Sequence, residues 1–489
     1  MNLKIYYLFT FVIISAFACN PKVDQQEQEE PPPNFILFIT DDISYNDLGC
    51  YGNEMAKTPN IDRMASKGLL FTNAYLTASS CSPSRCSIIT GRYPHNTGAP
   101  ELHIDLPENQ AMFPQLMKEA GYYTVLSGKN HMGEVTENAF DTIDWGGGPG
   151  GEEFWLEHIR NRPADKPFFY WLASHDAHRK WQIDSTAPEF NPENVKVPPM
   201  LFDGPATRQD LANYYHEVSR TDYYLGKIME TLEAEGIAEN TYVIYMTDNG
   251  RPFPRAKTRC YDSGMKTPFI IWKKGTIQPG KTESLISAID IAPTIFELAG
   301  MESSPRFQGV SFAKVLAEPE STPRDFIFAE HNWHVYQNHE RMLRMGDFMY
   351  IRNAFNQKMN MCVESAPVFP AGVELWQAYE DGLTNPKQED IFMVPRPEEE
   401  LYHVVEDPYQ FNNLADKDEY QATLEECRRI LLQWVEETGD NIPENPTPDR
   451  EDLQRNRYDD FAIGEMPGEK YGADTITKKG PWLKEHIKL

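Results

Sequence analysis

The stretch Asn34-Phe35-Ile36-Leu37-Phe38-Ile39-Thr40, followed at once by Asp41-Asp42, restricts the fold of this chain more than any other. A run of apolar residues with no polar alternation fits a strand covered on both faces, as in a parallel sheet with helices packed above and below. Its carboxyl end carries two carboxylates. In open α/β sheets the carboxyl ends of the strands are where ligands collect.

The pattern of buried strand followed by polar turn recurs. Thr58-Pro59 is an N-cap and first-turn pair, Ile61, Met64 and Ala65 make an apolar stripe, and Gly68 closes a helix. Phe113, Leu116, Met117 and Ala120 mark a second helix. Residues 122–127 read as a strand delivering Gly128-Lys129-Asn130-His131, and residues 168–173 as another opening into Ser174-His175-Asp176-Ala177-His178. Tyr214, Val218, Thr221, Leu225, Ile228 and Leu232 alternate spacings of four and three, an amphipathic helix. A strand at 241–247 then runs into Asp248-Asn249-Gly250, and a strand at 269–272 and a helix at 290–298 follow. The alternation predicts a doubly wound α/β domain, a mostly parallel sheet with helices on both faces, over residues 34–330. Beyond it, short runs at 342–350 and 400–405 and a helix at 424–434 predict a smaller α+β subdomain with an antiparallel sheet over 331–489. Its Pro-rich, charged tail from residue 441 is expected to wrap the surface. No internal repeat is present.

With 489 residues the chain is long enough for two packed units. The net charge of -28 argues against a nucleic-acid partner, which needs a basic face to displace counterions. An anionic substrate would need a local positive site inside that repelling field. At the N-terminus, Lys4 precedes an apolar run over 5–17, too short for the ~20 residues that span a bilayer. The run meets Ala18-Cys19, which looks like a bacterial lipoprotein signal: residues 1–18 removed, Cys19 lipidated, and the Gln-, Glu- and Pro-rich residues 19–33 a tether to a membrane. Plain secretion with cleavage nearby is the alternative. Either way the chain is exported, to the periplasm or the cell surface. Setting aside Cys19 and Cys81, five cysteines remain, an odd and sparse set from which no disulfide framework follows.

Cys81-Ser82-Pro83-Ser84-Arg85-Cys86-Ser87-Ile88-Ile89-Thr90-Gly91-Arg92 gathers a thiol, a hydroxyl and a guanidinium within five residues. Beside a fixed cation a cysteine can be held as a thiolate, and Arg85 can also grip a tetrahedral oxyanion by its planar fork. Taken alone, this is a candidate nucleophile with its own anion clamp, or a loop with an incidental thiol. Asp41, Asp42, Asp248 and Asn249 are hard oxygen donors at strand ends, which suit calcium or magnesium and not zinc.

The string from Cys81 to Thr90-Gly91 resembles the signature of the sulfatase family. The resemblance implies that Cys81, not Cys86, is converted to formylglycine by a maturation enzyme. It also implies an alkaline-phosphatase-like fold and one divalent cation, calcium or else magnesium, held by Asp41, Asp42, Asp248 and Asn249 together with the modified Cys81. Lys129 and His131 stand in Gly-Lys-Asn-His-Met-Gly, similar to the family's Gly-Lys-Trp-His-Leu-Gly with Asn130 in place of the tryptophan. His178 resembles the histidine at the sulfate ester oxygen, with His175 as rival. Lys257 resembles the second sulfate-binding lysine, with Lys266 as rival. Asp290-Ile291-Ala292-Pro293-Thr294 and Arg251-Pro252-Phe253-Pro254 extend the likeness, the latter toward the heparan N-sulfatase (sulfamidase) branch. Glu330-His331-Asn332-Trp333-His334 is a polar-aromatic cluster in which His334 is expected to line a sugar subsite, or else an ordinary surface strand end.

The mechanism implied by the resemblance has the hydrated aldehyde at residue 81 attack sulfur while His178 or Lys257 protonates the leaving alcohol or amine. His131 then removes a proton so that sulfate is expelled. Arg85, Lys129, His178 and Lys257 bind the sulfate. The expected substrate is a sulfated polysaccharide or its oligosaccharides, either algal, such as ulvan or carrageenan, or a glycosaminoglycan. N-sulfoglucosamine hydrolysis is an alternative, as are a phosphomonoester or phosphonate hydrolase and a non-catalytic glycan-binding lipoprotein.

Overall fold

The computed structural model describes residue 1, residues 31–450 and residues 462–488. Cys19 and most of the leader and tether lie outside the described residues. The body from Pro32 onward forms one compact unit.

Eight strands make the large sheet: β1 (Asn34–Thr40), β2 (Leu69–Tyr75), β3 (Tyr123–Gly128), β4 (Thr142–Asp144), β5 (Phe168–Ala173), β6 (Thr241–Thr247), β7 (Phe269–Trp272) and β8 (Gly280–Ser287). Their order is β4-β3-β5-β1-β6-β7-β2-β8, and every pairing is parallel except the two made by β7. The central strand is β1, with Phe35 opposite Phe169 of β5 on one side and Tyr242 of β6 on the other.

Every residue of β1 is buried. Phe35, Leu37 and Ile39 enter one apolar cluster with Ile88, Ile89, Ile291 and Ile295. Ile36 and Phe38 enter a second with Ile61, Met64, Tyr214, Val218 and Leu225. The helices α1 (Pro59–Lys67), α2 (Cys81–Thr90), α3 (Phe113–Glu119), α4 (Trp155–Arg160) and the 30-residue α5 (Pro205–Ala234) are thereby divided between two layers. A strand with hydrophobic residues on both faces has no other stable placement.

A second, four-stranded antiparallel sheet has the order β12-β11-β10-β9, from β9 (Phe326–His331), β10 (Glu340–Met345), β11 (Phe348–Asn353) and β12 (Glu399–His403). The single run expected over 342–350 is a hairpin that turns between β10 and β11. The expected boundary after residue 330 falls inside β9. The helix Gln421–Thr438 covers this sheet, with Trp434 stacked on Phe328 at 5.1 Å between ring centroids. The tail is stitched to the start of the fold: Arg92 donates to the carbonyls of Asp474 and Ile476, and Asn96 to that of Ala473.

Candidate active site

Strands β3, β5, β1 and β6 are consecutive and parallel, so their carboxyl ends deliver Lys129, Ser174 to His178, Asp41-Asp42 and Asp248-Asn249 to one edge. Backbone bonds lock these ends together, Asp41 N–H to Asp176 O at 2.8 Å and Ala177 N–H to Asp41 O at 2.6 Å. Helix α2 brings Cys81 to the same edge. Ser80 is its N-cap, Pro83 sits in the first turn where its missing N–H costs nothing, and Gly91 stops it in the left-handed region at φ 64°.

Asp41, Asp42, Asp248 and Asn249 are all fully buried. The ligand atoms of Asp41, Asp42 and Cys81 lie within 4.8 Å of one another. Asp248 accepts from the Asp42 N–H at 3.3 Å, and Asn249 Nδ2 donates to Asp42. Asn249 Oδ1 is buried with no hydrogen-bond partner. Three carboxylates and an unclaimed amide oxygen, enclosed together, are the donor set of a hard divalent cation, so the residues fit the ion the sequence implies.

Three side-chain cations face this cluster. Arg85 Nε binds Asp248 at 2.7 Å, and its Nη1 donates to the Lys129 carbonyl at 3.0 Å. Lys129 pairs with Asp41, and Lys257 Nζ with Asp42 at 2.8 Å. Burial opposes ionisation of Asp41, but the fixed cations, Lys129 first and then Arg85 and Lys257, outweigh it and hold the carboxylate well below its usual range. At Asp42 burial prevails over Lys257 and pushes the carboxyl up. Burial also opposes the charge on Lys257, yet Asp42 keeps it protonated. With a divalent cation added to three carboxylates and three cations, the cluster would be net positive and suited to an anion.

The thiolate reading of Cys81 does not hold. Burial, with Asp41 adding to it, pushes the thiol far up, and Lys129 and Lys257 do not compensate. Arg85 directs Nε and Nη1 to Asp248 and a carbonyl, while the Cys81 Sγ faces Asp41 Oδ1 at 3.7 Å. The unmodified cysteine is therefore a poor nucleophile. Cys86 points into the core with Ile88 and Ile89.

A cleft of about 610 Å³ opens beside the cluster, lined by His103, Lys129, His131, Trp145, His175 and His178 among others. His178 faces it with Nδ1 2.5 Å from the Arg179 carbonyl; the surrounding protein, Lys129 and Lys257 push its imidazole down to about 3, leaving it neutral. His175 lies tilted against Trp145, with ring centroids 4.6 Å apart. Arg220 of α5 holds the loop that carries both histidines by two 2.7 Å bonds to Asp176. Lys266 is drawn away toward Asp262 at 3.9 Å.

The expected sugar-binding wall around His334 is not assembled on the cleft. His334 is buried and bonds Ser80 at 2.7 Å, immediately before Cys81. Glu330 turns inward to His95, and His331 to Glu340. The residues missed from the sequence are His103 and Trp145. His103 follows no strand and carries no spacing signal. Trp145 had one, an aromatic residue heading the glycine-rich run Gly146-Gly147-Gly148-Pro149-Gly150-Gly151. A cavity of about 670 Å³ between the small sheet and the helix Gln421–Thr438 contains none of the expected site residues.

The chain matches the family model "Sulfatase" over residues 33–155 and 152–301, and the model "N-sulphoglucosamine sulphohydrolase, C-terminal" over 256–352. It is 27% identical over 470 residues to an ulvan-active sulfatase of Formosa agariphila, covering 84% of this chain and 76% of that protein. It is 27% identical over 460 residues to the human N-sulphoglucosamine sulphohydrolase, covering 84% and 91%. A protein solved with its substrate D-glucosamine-2-N,6-O-disulfate shares the fold, with a TM-score of 0.65 at 19% identity over 83% of this chain and 98% of that one. With the sulfatase model spanning more than half of the residues and its signature helix set among buried aspartates, the chain belongs to the sulfatase family of sulfuric ester hydrolases.

Proposed function

We propose that this sulfatase removes sulfate from a sulfated polysaccharide or its oligosaccharides. The observation that carries the reading is the joining of two features: a buried Asp41-Asp42-Cys81 cluster faced by Arg85, Lys129 and Lys257, and a histidine-lined cleft whose mouth presents Trp145, 64% exposed. An exposed indole beside a cleft suits the flat apolar face of a sugar ring. The ulvan-active and N-sulphoglucosamine-specific relatives support a glycan substrate.

Asp41, Asp42, Asp248 and Asn249 would hold one calcium or magnesium ion, whose positive charge would stabilise negative charge developing on oxygen. Cys81, once converted to formylglycine, would supply an oxygen nucleophile that the buried thiol cannot. Arg85 orients Asp248 and keeps Nη2 without a hydrogen-bond partner. Lys129 and Lys257 bring fixed positive charge to the sulfate oxygens. Lys257 keeps its proton and donates it to the departing oxygen, while neutral His178 contacts the ester oxygen from the cleft side. His131 takes the proton that accompanies sulfate release.

Sulfate release from aryl sulfates and a panel of sulfated oligosaccharides tests the reading, with matched phosphate esters as comparison. Cys81→Ala is expected to abolish turnover and keep the fold, and chelation is expected to remove activity that calcium or magnesium restores. Faster phosphate than sulfate release, or full activity of Cys81→Ala, would refute it. Mass spectrometry of the Cys81 peptide should show loss of sulfur and gain of an aldehyde. A second reading, N-sulfoglucosamine hydrolysis, is favoured by the match of residues 256–352 to the N-sulphoglucosamine sulphohydrolase C-terminal model; a panel containing N-sulfated and O-sulfated glucosamine separates the two. We further propose export with a lipid anchor at Cys19, which a Cys19→Ala variant found in the soluble fraction would support.

A further inference from the structure

His103 and His131 face each other across two loops, His131 Nε2 to His103 Nδ1 at 2.7 Å and ring centroids at 4.7 Å. Both residues adopt left-handed backbone, His103 at φ 61° and His131 at φ 60°. Such backbone is strained for a non-glycine residue, and it persists where the surroundings over-determine it. Here the surroundings do. The His103 N–H donates to Ser82 Oγ at 2.8 Å, tying its loop to α2 one residue after Cys81. The Leu106 N–H reaches the Met132 carbonyl at 3.1 Å, tying the two loops to each other.

A 2.7 Å contact between two ring nitrogens holds one proton, and the two ways of placing it are not equal. If His103 donates, neutral His131 must carry its own proton on Nδ1, which is buried with no hydrogen-bond partner. A buried donor left without an acceptor loses the hydrogen bond it would make in water. Lys129 and Arg85 are among the charges acting on His131, and positive neighbours repel an N–H dipole but favour a lone pair. If His131 donates from Nε2, Nδ1 is a lone pair that Lys129 and Arg85 attract, so the repulsion vanishes and the unfilled acceptor is the one open to a proton. Burial and Lys129 keep His131 neutral, which is the form that can accept a proton.

We propose that His103 is a positioning residue that fixes His131 in the Nε2–H tautomer, so that Nδ1 is the atom that accepts the proton during sulfate release. This rests on the sulfatase reading above for its chemistry but not for its hydrogen bond. In the step concerned, the proton leaves the hydroxyl borne by converted residue 81, its O–H electron pair reforms the aldehyde, the sulfate ester bond breaks with its electrons on sulfate oxygen, and Nδ1 gains the proton. His103 touches none of the reacting atoms.

Two variants and one spectrum test it. His103→Gly removes the ring without penalising left-handed backbone. His103→Asn tolerates the same backbone and offers a carbonyl oxygen close to where Nδ1 stood. Loss of such an outer partner typically costs roughly 10–100-fold, so His103→Gly should lower kcat by that factor with KM unchanged, and His103→Asn should recover most of it. In ¹⁵N imidazole spectra of the Cys81→Ala protein, His131 should be protonated on Nε2 and should shift toward the Nδ1–H form on adding His103→Gly. Equal kcat for wild type and His103→Gly, a His103→Asn no better than His103→Gly, or an Nδ1–H signal from His131 would overturn the proposal. If the wild type releases no sulfate from any ester, the proposed function falls, and the spectrum still decides the tautomer.

Discussion

Replacing Arg220 by leucine should destabilise the protein in a pH-dependent way, for reasons that lie in the wall behind the cleft. Arg220 reaches from α5 to Asp176 with two 2.7 Å bonds, and it also meets Asp184 at 3.2 Å and Glu217 at 3.4 Å. Asp176 is 3% exposed, so its carboxylate has no recourse to water. Removing one partner of a buried pair costs roughly 3–5 kcal/mol because it strands the other charge. Protonation of the stranded group limits that cost. Burial already raises Asp176 to about 6 despite Arg220, above the ordinary value of 3.8. A carboxyl with a raised folded pKa binds protons more tightly in the native state, so wild-type stability falls as pH rises from about 4 to 6. Without Arg220 the folded pKa rises further, and the fall continues above pH 6 at up to ~1.4 kcal/mol per pH unit. Urea denaturation of wild type and Arg220→Leu at pH 5.5, 7 and 8 should show a penalty that grows by about 2 kcal/mol or more across the series. A penalty below ~1 kcal/mol, or one flat with pH, would refute the account. An Asp176→Asn/Arg220→Leu double variant should be more stable at pH 8 than Arg220→Leu alone.

Three further outcomes follow from single side chains. Trp145→Ala should raise KM for sulfated oligosaccharides roughly three- to tenfold, from ~0.5–1.5 kcal/mol of aromatic contact, with KM for a small aryl sulfate unchanged; equal effects on both would remove Trp145 from the sugar site. Glu101, 2% exposed and accepting from Thr447 at 2.6 Å, is raised by burial to about 8, so wild-type stability declines between pH 4.5 and 8, and Glu101→Gln should flatten that part of the profile by an amount on the order of a few kcal/mol. Gly91→Ala should cost about 1–2 kcal/mol, because an L-residue is strained at φ 64° and its Cβ would stand 3.1 Å from both Ala292 and Phe307; a neutral Gly91→Ala in thermal unfolding would mean that the stop after α2 relaxes freely.

Much of this protein is local in character and could be read without coordinates. The apolar run 34–40 and the polar residues at its end define a central strand and a ligand edge, because a segment with two apolar faces has only one kind of home. The likeness of the string from Cys81 to Thr90-Gly91 to the sulfatase signature singles out Cys81 over Cys86, and in the fold Cys81 opens a helix at the site while Cys86 turns into the core. Lys129 and Lys257 follow from the resemblance of their segments to sulfatase motifs, and the fold brings them to Asp41 and Asp42.

Other features depend on distances that no spacing encodes. Whether Cys81 is a thiolate turns on burial, which defeats two nearby lysines. Where the cluster around His334 points turns on β9 entering the small sheet, which sends Glu330 and His331 inward and leaves His334 on Ser80. The partnership of His103 with His131 and that of Asp176 with Arg220 join segments 28 and 44 residues apart through loop geometry. Sequence periodicity reports which face of a segment leaves water. Only tertiary packing decides which groups then meet in the dry interior, and there a few ångströms set charge, tautomer and reactivity.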